Sequence, residues 1–170
     1  MSRNTNNGRP CLEFEDAKVI FRNFRGEDYG YNAQHKKGFS ILLNPDDYDI
    51  KGMIADGWNI KPLKPREGYE DEGVNYHLPV EVRWDKFPPV IWLITQTGIS
   101  EDGRPKYKRT KLDEESSFVI DTADVIQVQV KISGNSYDVN GNTGIKAYLK
   151  EMFIELAQDR FEAMYDWDED

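Results

Sequence analysis

The sequence predicts a mainly β chain, folded as a small β-barrel or closed sandwich with one helix. Three observations predict it. Apolar and polar residues alternate over several short stretches, Asn140-Gly141-Asn142 separates two of them as a hairpin turn would, and no strand-helix-strand rhythm or internal repeat appears. A chain of 170 residues can hold one sizeable core but is short for two. Its hydrophobic content is only 38%, yet 12% of its residues are aromatic, which points to a folded body with much polar loop rather than a disordered chain.

Residues 1–10 are polar and Asn-rich and read as a flexible start, without the charged-then-apolar pattern of a signal sequence. Leu12, Phe14, Val19 and Phe21 then alternate with charged residues and predict a half-buried strand over 12–24. After a loop rich in Gly, Asp and Tyr, the apolar run 39–43 predicts a second strand. Asn44 as N-cap, Pro45 at the first position and Asp46-Asp47 in the first turn predict a helix that stops near Gly57, with Tyr48, Ile50 or Met53, and Ile54 facing inward. Residues 58–63 read as extended, and the acidic stretch 67–73 as an exposed loop. Further strands are expected over 74–84, 90–95, 123–132 and 144–156, for six to eight in all. An exposed edge such as 123–132 would let two copies pair as a homodimer.

Groups for catalysis are largely missing. There is no phosphate-binding glycine loop, no Gly-x-Ser-x-Gly and no His-x-x-x-His helix. The single cysteine, Cys11, allows no internal disulfide and fits a reducing compartment, and with His35 and His77 it is too little for a structural zinc site. His35, beside Lys36 and Lys37, reads as a solvated loop residue. The carboxylate groups Asp46-Asp47, Glu70-Asp71-Glu72 and Asp113-Glu114-Glu115 fall in loops or a helix cap, which leaves a Mg²⁺-dependent nuclease as a third-ranked reading. No stretch approaches membrane-spanning length. The expectation is a cytoplasmic, non-enzymatic protein with no catalytic residues, no cofactor and no metal.

Charge is distributed unevenly. The formal net charge is −9, yet residues 151–170 hold eight acids against one base, Arg160, so the body is nearly balanced. Residues 159–170 read as a disordered acidic tail, in which Tyr165 and Trp167 stand among Asp166, Asp168, Glu169 and Asp170. Such a block stays solvated, free to meet a basic patch on a partner or on its own chain. Between Gly103 and Leu112 stand Arg104, Lys106, Tyr107, Lys108, Arg109 and Lys111 with no acid, a candidate nucleic-acid finger. Further bases, among them Arg22, Arg25, Lys36, Lys37, Lys61 and Lys64, lie near aromatic residues. An unpaired strand needs this mixture, because cations follow its phosphates while rings stack on its bases. Tyr29, Tyr31, Tyr107 and Tyr137, in or beside Gly-rich loops, are the stacking candidates, whereas Phe14, Phe21, Phe39, Trp92 and Phe153 are expected to face the core. The net charge opposes DNA binding only weakly, since at about 0.15 M salt the Debye length is roughly 8 Å.

Three segments carry a resemblance: 15–24 (Glu-Asp-Ala-Lys-Val-Ile-Phe-Arg-Asn-Phe), 56–65 (Asp-Gly-Trp-Asn-Ile-Lys-Pro-Leu-Lys-Pro) and 139–149 (Val-Asn-Gly-Asn-Thr-Gly-Ile-Lys-Ala-Tyr-Leu). With the finger and the tail, they make the chain resemble the single-stranded DNA-binding proteins of tailed bacteriophages. The resemblance implies an OB-like β-barrel over 11–158, a groove for unpaired DNA and no catalysis. It also implies that the acidic tail recruits replication proteins such as a polymerase, helicase or primase. The competing expectation, from a different class, is a protein-interaction module or DNA-mimic inhibitor whose acidic surface does the work.

Overall fold

The longest alternating stretches of the sequence make the longest strands. The computed structural model describes residues 2–6, 9–27, 36–65, 68 and 73–157. In it β9 (Val125–Val139) and β10 (Asn142–Leu156) form an antiparallel hairpin closed by Asn140 and Gly141, both at positive φ (53° and 84°). A two-residue turn with both central residues left-handed matches the twist of the strands it joins, which explains the Asn-Gly pair. Val128, Val130 and Ile132 of β9 and Ile145, Ala147 and Leu149 of β10 are buried. A bulge between Leu149 and Glu151 shifts the inward phase of β10 to Met152 and Ile154.

The other strands assemble on this hairpin. β1 (Ser2–Asn6) pairs with β2 (Arg9–Phe14), and β2 lies against β9. The far edge of β10 is shared by β6 (Asn75–Glu81), parallel at Ala147 and Tyr148, and β7 (Val90–Ile99), parallel from Glu151 to Glu155. β6 continues to β4 (Gly38–Leu43) and β4 to β3 (Val19–Asn23), with the short β5 (Lys61–Leu63) also on β6. Among the described residues β8 (Pro105–Leu112) pairs only with β7, and the two form an antiparallel ribbon that continues past the β10 pairing of β7. The core collects Leu12, Phe14, Ile41, Leu43, Leu78, Val80 and Ile91 with the inner residues of β9 and β10.

Mainly β with one α-helix is therefore correct, but the expected OB-like β-barrel is not. The ladder runs β1-β2-β9-β10-β6-β4-β3 with branches, and among the described residues no pairing joins its two ends. The cause is visible in the segment expected as one strand over 12–24. It breaks after Phe14: the Ala17 N–H donates to the Val128 carbonyl (2.9 Å), while the Leu42 N–H donates to the Lys18 carbonyl (2.8 Å). The first half thus belongs to β9 and the second to β4. The ten strands among the described residues also exceed the expected six to eight, and β9 is flanked on both sides over Val130 to Ser133 rather than forming the exposed edge expected at 123–132. The expected disordered tail lies outside the described residues.

The helix is shorter than its sequence signals suggest. Asn44 does not cap it; its side chain accepts from the Asp46 N–H (2.9 Å) in a local turn. Helix α1 (Ile50–Asp56) starts five residues later than that reading requires, with Asp49 accepting from the Gly52 N–H (3.1 Å). It stops as expected at Gly57, which is left-handed at φ 108°. Ile50 and Met53 face the core and Ile54 does not. No described helix is long and apolar enough to cross a membrane.

α1 delivers Trp58 onto the hairpin, where it bridges to Ile145 and is buried. Gly134 makes this fit possible, since a Cβ there would lie 2.6 Å from Ile145, 2.7 Å from Trp58 and 2.9 Å from Pro10. Gly134→Ala is expected to destabilise the fold by about 1–3 kcal/mol through overpacking, read as a lower urea midpoint at an unchanged slope.

Candidate nucleic-acid interface

Strand β3 does not keep a simple alternation. Its register on β4 slips between Ile20 and Asn23, and Phe21 takes a positive φ of 53°. A slip of one residue exchanges inner and outer faces. Phe21, expected in the core, is 60% exposed, with its ring edge-on to His77 at 5.6 Å. Arg22, expected on the DNA surface, turns back instead, and its Nη1 donates to the carbonyls of Ile120 (2.8 Å) and Ala123 (2.7 Å). Arg22 is thus engaged with the fold.

The segment after β3 is tied down tightly. Buried Asn23 accepts from the N–H groups of Gly26 (3.0 Å) and Glu27 (2.9 Å), while Asp121 accepts from those of Phe24 (2.6 Å) and Arg25 (3.1 Å). The Arg25 guanidinium lies 4.6 Å above the Phe118 ring. Tyr29 and Tyr31 lie outside the described residues.

Phe21 borders a concave surface of about 420 Å³ that also includes Lys36, Lys37, Asn59, Lys61 and Lys146. Residues distant in sequence meet here because β3, β4, β5, β6 and β10 run side by side. Four lysines and one exposed ring is the combination that phosphates and bases require. Lys37 also pairs with Glu114 (2.8 Å). On the floor, the buried Glu81 carboxylate holds the Lys146 ammonium at 2.9 Å, a charge contact without hydrogen-bond alignment, and Arg83 at 3.9 Å. Lys64 is exposed just beyond β5.

The expected finger is a regular strand, β8, not a loop. Cross-strand pairing puts Tyr107, Arg109 and Lys111 on one face of the ribbon with Gln96, Ile94 and Trp92. Arg109 lies 4.6 Å over the half-buried Trp92 ring, and Tyr107 is 53% exposed. Lys106 and Lys108 project from the other face, and Arg104 at the turn is 3.5 Å from Asp102. This ribbon is a second cationic cluster, joined to the groove through β10. Tyr137 belongs to neither: it packs over Gly144, where a Cβ would meet its hydroxyl at 2.5 Å.

Phe14 and Phe39 are buried as expected, whereas Phe153, like Trp92, is only half-buried. The sequence reading missed Phe21 and Lys146 as surface groups; the only advance signal was Phe21 standing beside Arg22 in a strand flanked by charge. The tail residues Tyr165, Asp166, Trp167, Asp168, Glu169 and Asp170 lie outside the described residues. Among the described residues no three His, Cys, Asp or Glu side chains gather as metal ligands.

A family model described as "Putative phage ssDNA-binding domain" matches residues 1–167. No curated protein sequence matches. Among solved structures, the single-stranded DNA-binding protein from bacteriophage Enc34 is similar in fold, with a TM-score of 0.51 and 10% identity over 93% of this chain and 90% of that one. Its C-terminal truncation gives 0.51 and 11% over 92% and 94%, and its complex with single-stranded DNA gives 0.50 and 11% over 93% and 96%.

His77, which packs against the Phe21 ring, supplies a test of the region beside the groove. Burial, and then the neighbouring Lys61 charge, lower its pKa below the ordinary 6.5. The unfolded chain therefore takes up a proton at this residue more readily than the folded one. Stability contributed here is complete above about pH 6.5 and is lost as the pH falls through the lower folded value. Urea midpoints from pH 8 to pH 5 should fall less steeply in His77→Gln than in the parent chain.

Proposed function

The chain belongs to the phage single-stranded DNA-binding family, and from that premise we propose that it binds unpaired DNA without sequence preference in the groove beside Phe21. Membership of this binding family makes it a non-enzymatic protein. The observation that carries the reading is the exposed Phe21 ring bordered by Lys36, Lys37, Lys61 and Lys146. The ring stacks on a base while the lysines follow the backbone. Arg104, Lys106, Tyr107, Lys108, Arg109 and Lys111 on the β7–β8 ribbon extend the contact.

The protein serves phage DNA replication and recombination in the host cytoplasm by covering unpaired strands. Its tail, with five carboxylates over 162–170, competes for the lysines when no DNA is present. A bound strand displaces the tail, which then recruits a polymerase, helicase or primase.

Fluorescence anisotropy with labelled oligo(dT) and a matched duplex, across a salt series, tests the reading. The full chain should prefer the single strand. Phe21→Ala should weaken binding by the roughly 1–3 kcal/mol of one stacked base. Lys61→Gln should lower the magnitude of the logarithmic salt slope by about 0.7. Removing 162–170 should tighten binding at low salt. Absence of binding to either DNA would instead favour the protein-interaction module.

A further inference from the structure

The core side of β7 and β10 carries Ile91, Met152 and Ile154, all buried. Alternation therefore sends Trp92 and Phe153 to the opposite side, where both are half-buried and neither packs against the core. Phe153 lies beside Trp92 on β7 and opposite Gln129 on β9, and Trp92 lies opposite Lys111 on β8. One row across four strands thus runs Lys111, Trp92, Phe153, Gln129, with a cation at one end, an amide at the other and no acid. The next row runs Arg109, Ile94, Glu155, Gln127. On the other side of the aromatic row, Glu151 is paired with Lys131 at 3.5 Å.

Among the described residues, the cation over the Trp92 ring is the Arg109 guanidinium at 4.6 Å, and Arg109 is exposed. An exposed arginine is easily displaced and can itself be stacked upon, so this ring can take a planar ligand. The size of the patch selects the ligand. Half-buried, the two rings offer on the order of 100 Å², far below the roughly 800 Å² that each partner brings to a stable protein interface. One or two bases need no more, and Lys111 and Arg109 flank them as partners for the adjoining phosphates.

The face is continuous with the groove. Before the bulge the outward residues of β10 include Lys146 and Tyr148, the ammonium 5.7 Å from the Tyr148 ring centre, and after it comes Phe153, with exposed Lys150 between. At roughly 3.3 Å per residue, Lys146 and Phe153 are about 20 Å apart along one strand.

We propose that Trp92 and Phe153 form a second base-stacking platform, reached by an unpaired DNA strand that leaves the groove at Lys146 and follows the outward face of β10. The assignment rests on the groove binding single strands, and it makes both rings direct binding residues distinct from Phe21.

Oligo(dT) of about 4 and about 16 nucleotides, the span of site sizes for single-strand-binding folds, and an abasic strand of the longer length test it with the full chain. Trp92→Leu and Phe153→Leu keep an apolar side chain and remove the ring. Each should bind the long strand about tenfold more weakly, the scale of one stacked base. The short strand, which the groove can hold by itself, should lose much less, and the abasic strand should bind as it does to the parent. Trp92→Phe and Phe153→Tyr keep a ring and should retain affinity for the long strand. Unchanged long-strand affinity in both leucine variants, with Phe21→Ala still weakened, would overturn the platform and leave the groove standing. Equal weakening on thymine and abasic strands would overturn it too, in favour of a structural role where the melting temperature also falls. A parent chain that dimerises in sedimentation while Trp92→Leu stays monomeric, at unchanged DNA affinity, would give the face to a second copy instead. Failure of the parent to bind oligo(dT) of either length would remove the groove reading itself, and this platform with it.

Discussion

Everything in this fold depends on the hydrogen-bonding edges of β10. One edge is occupied by β9 from Asn142 to Leu156, and the other is divided between β6 and β7. Two strands can share that edge only because the bulge at Leu149/Glu151 separates their ladders. The β6 branch leads through β4 and β3 to the lysine groove, and the β7 branch leads to the cationic ribbon. A single strand thus sets the relative placement of both positively charged surfaces.

The fold was legible in the sequence where the signal was local. Asn140-Gly141 marked the hairpin turn, Gly57 the end of the helix, and alternation marked β9 and β10 as strands, although the bulge in β10 turned Met152 and Ile154 inward in place of the expected Phe153. Partner choice was not legible, because alternation reports which side of a strand is apolar and not which strand lies beside it. Hence the branching at β10 and the open ladder could not be read, and the closed barrel was expected from the strand and turn pattern as well as from the resemblance. Asn44 misled for a related reason: the residues that cap helices also make Asx turns, and only the chain's later direction decides between them.

The candidate site was legible in its composition and not in its assembly. Lys36, Lys37 and Lys61 were recognisable as bases near aromatics, and all three line the groove. Lys146 looked like any outward lysine of a strand until β6 brought Glu81 against it. Phe21 and Arg22 were interchanged by a register slip whose only trace is a backbone angle. The basic run at 104–111 was correctly placed on the surface, but pairing with β7 gives it two faces of different character, which a loop would not have.

The backbone at Phe21 also bears on how this surface can change over generations. A positive φ is easy for Gly and tolerable for Asn, but a bulky side chain held there costs on the order of 1 kcal/mol or more. Random substitution under pressure for stability alone would drift toward those smaller residues. Under the proposed stacking role, an outward phenylalanine on such a backbone is kept for what the ring touches, and its replacement by glycine would relieve the backbone while leaving a blanker surface.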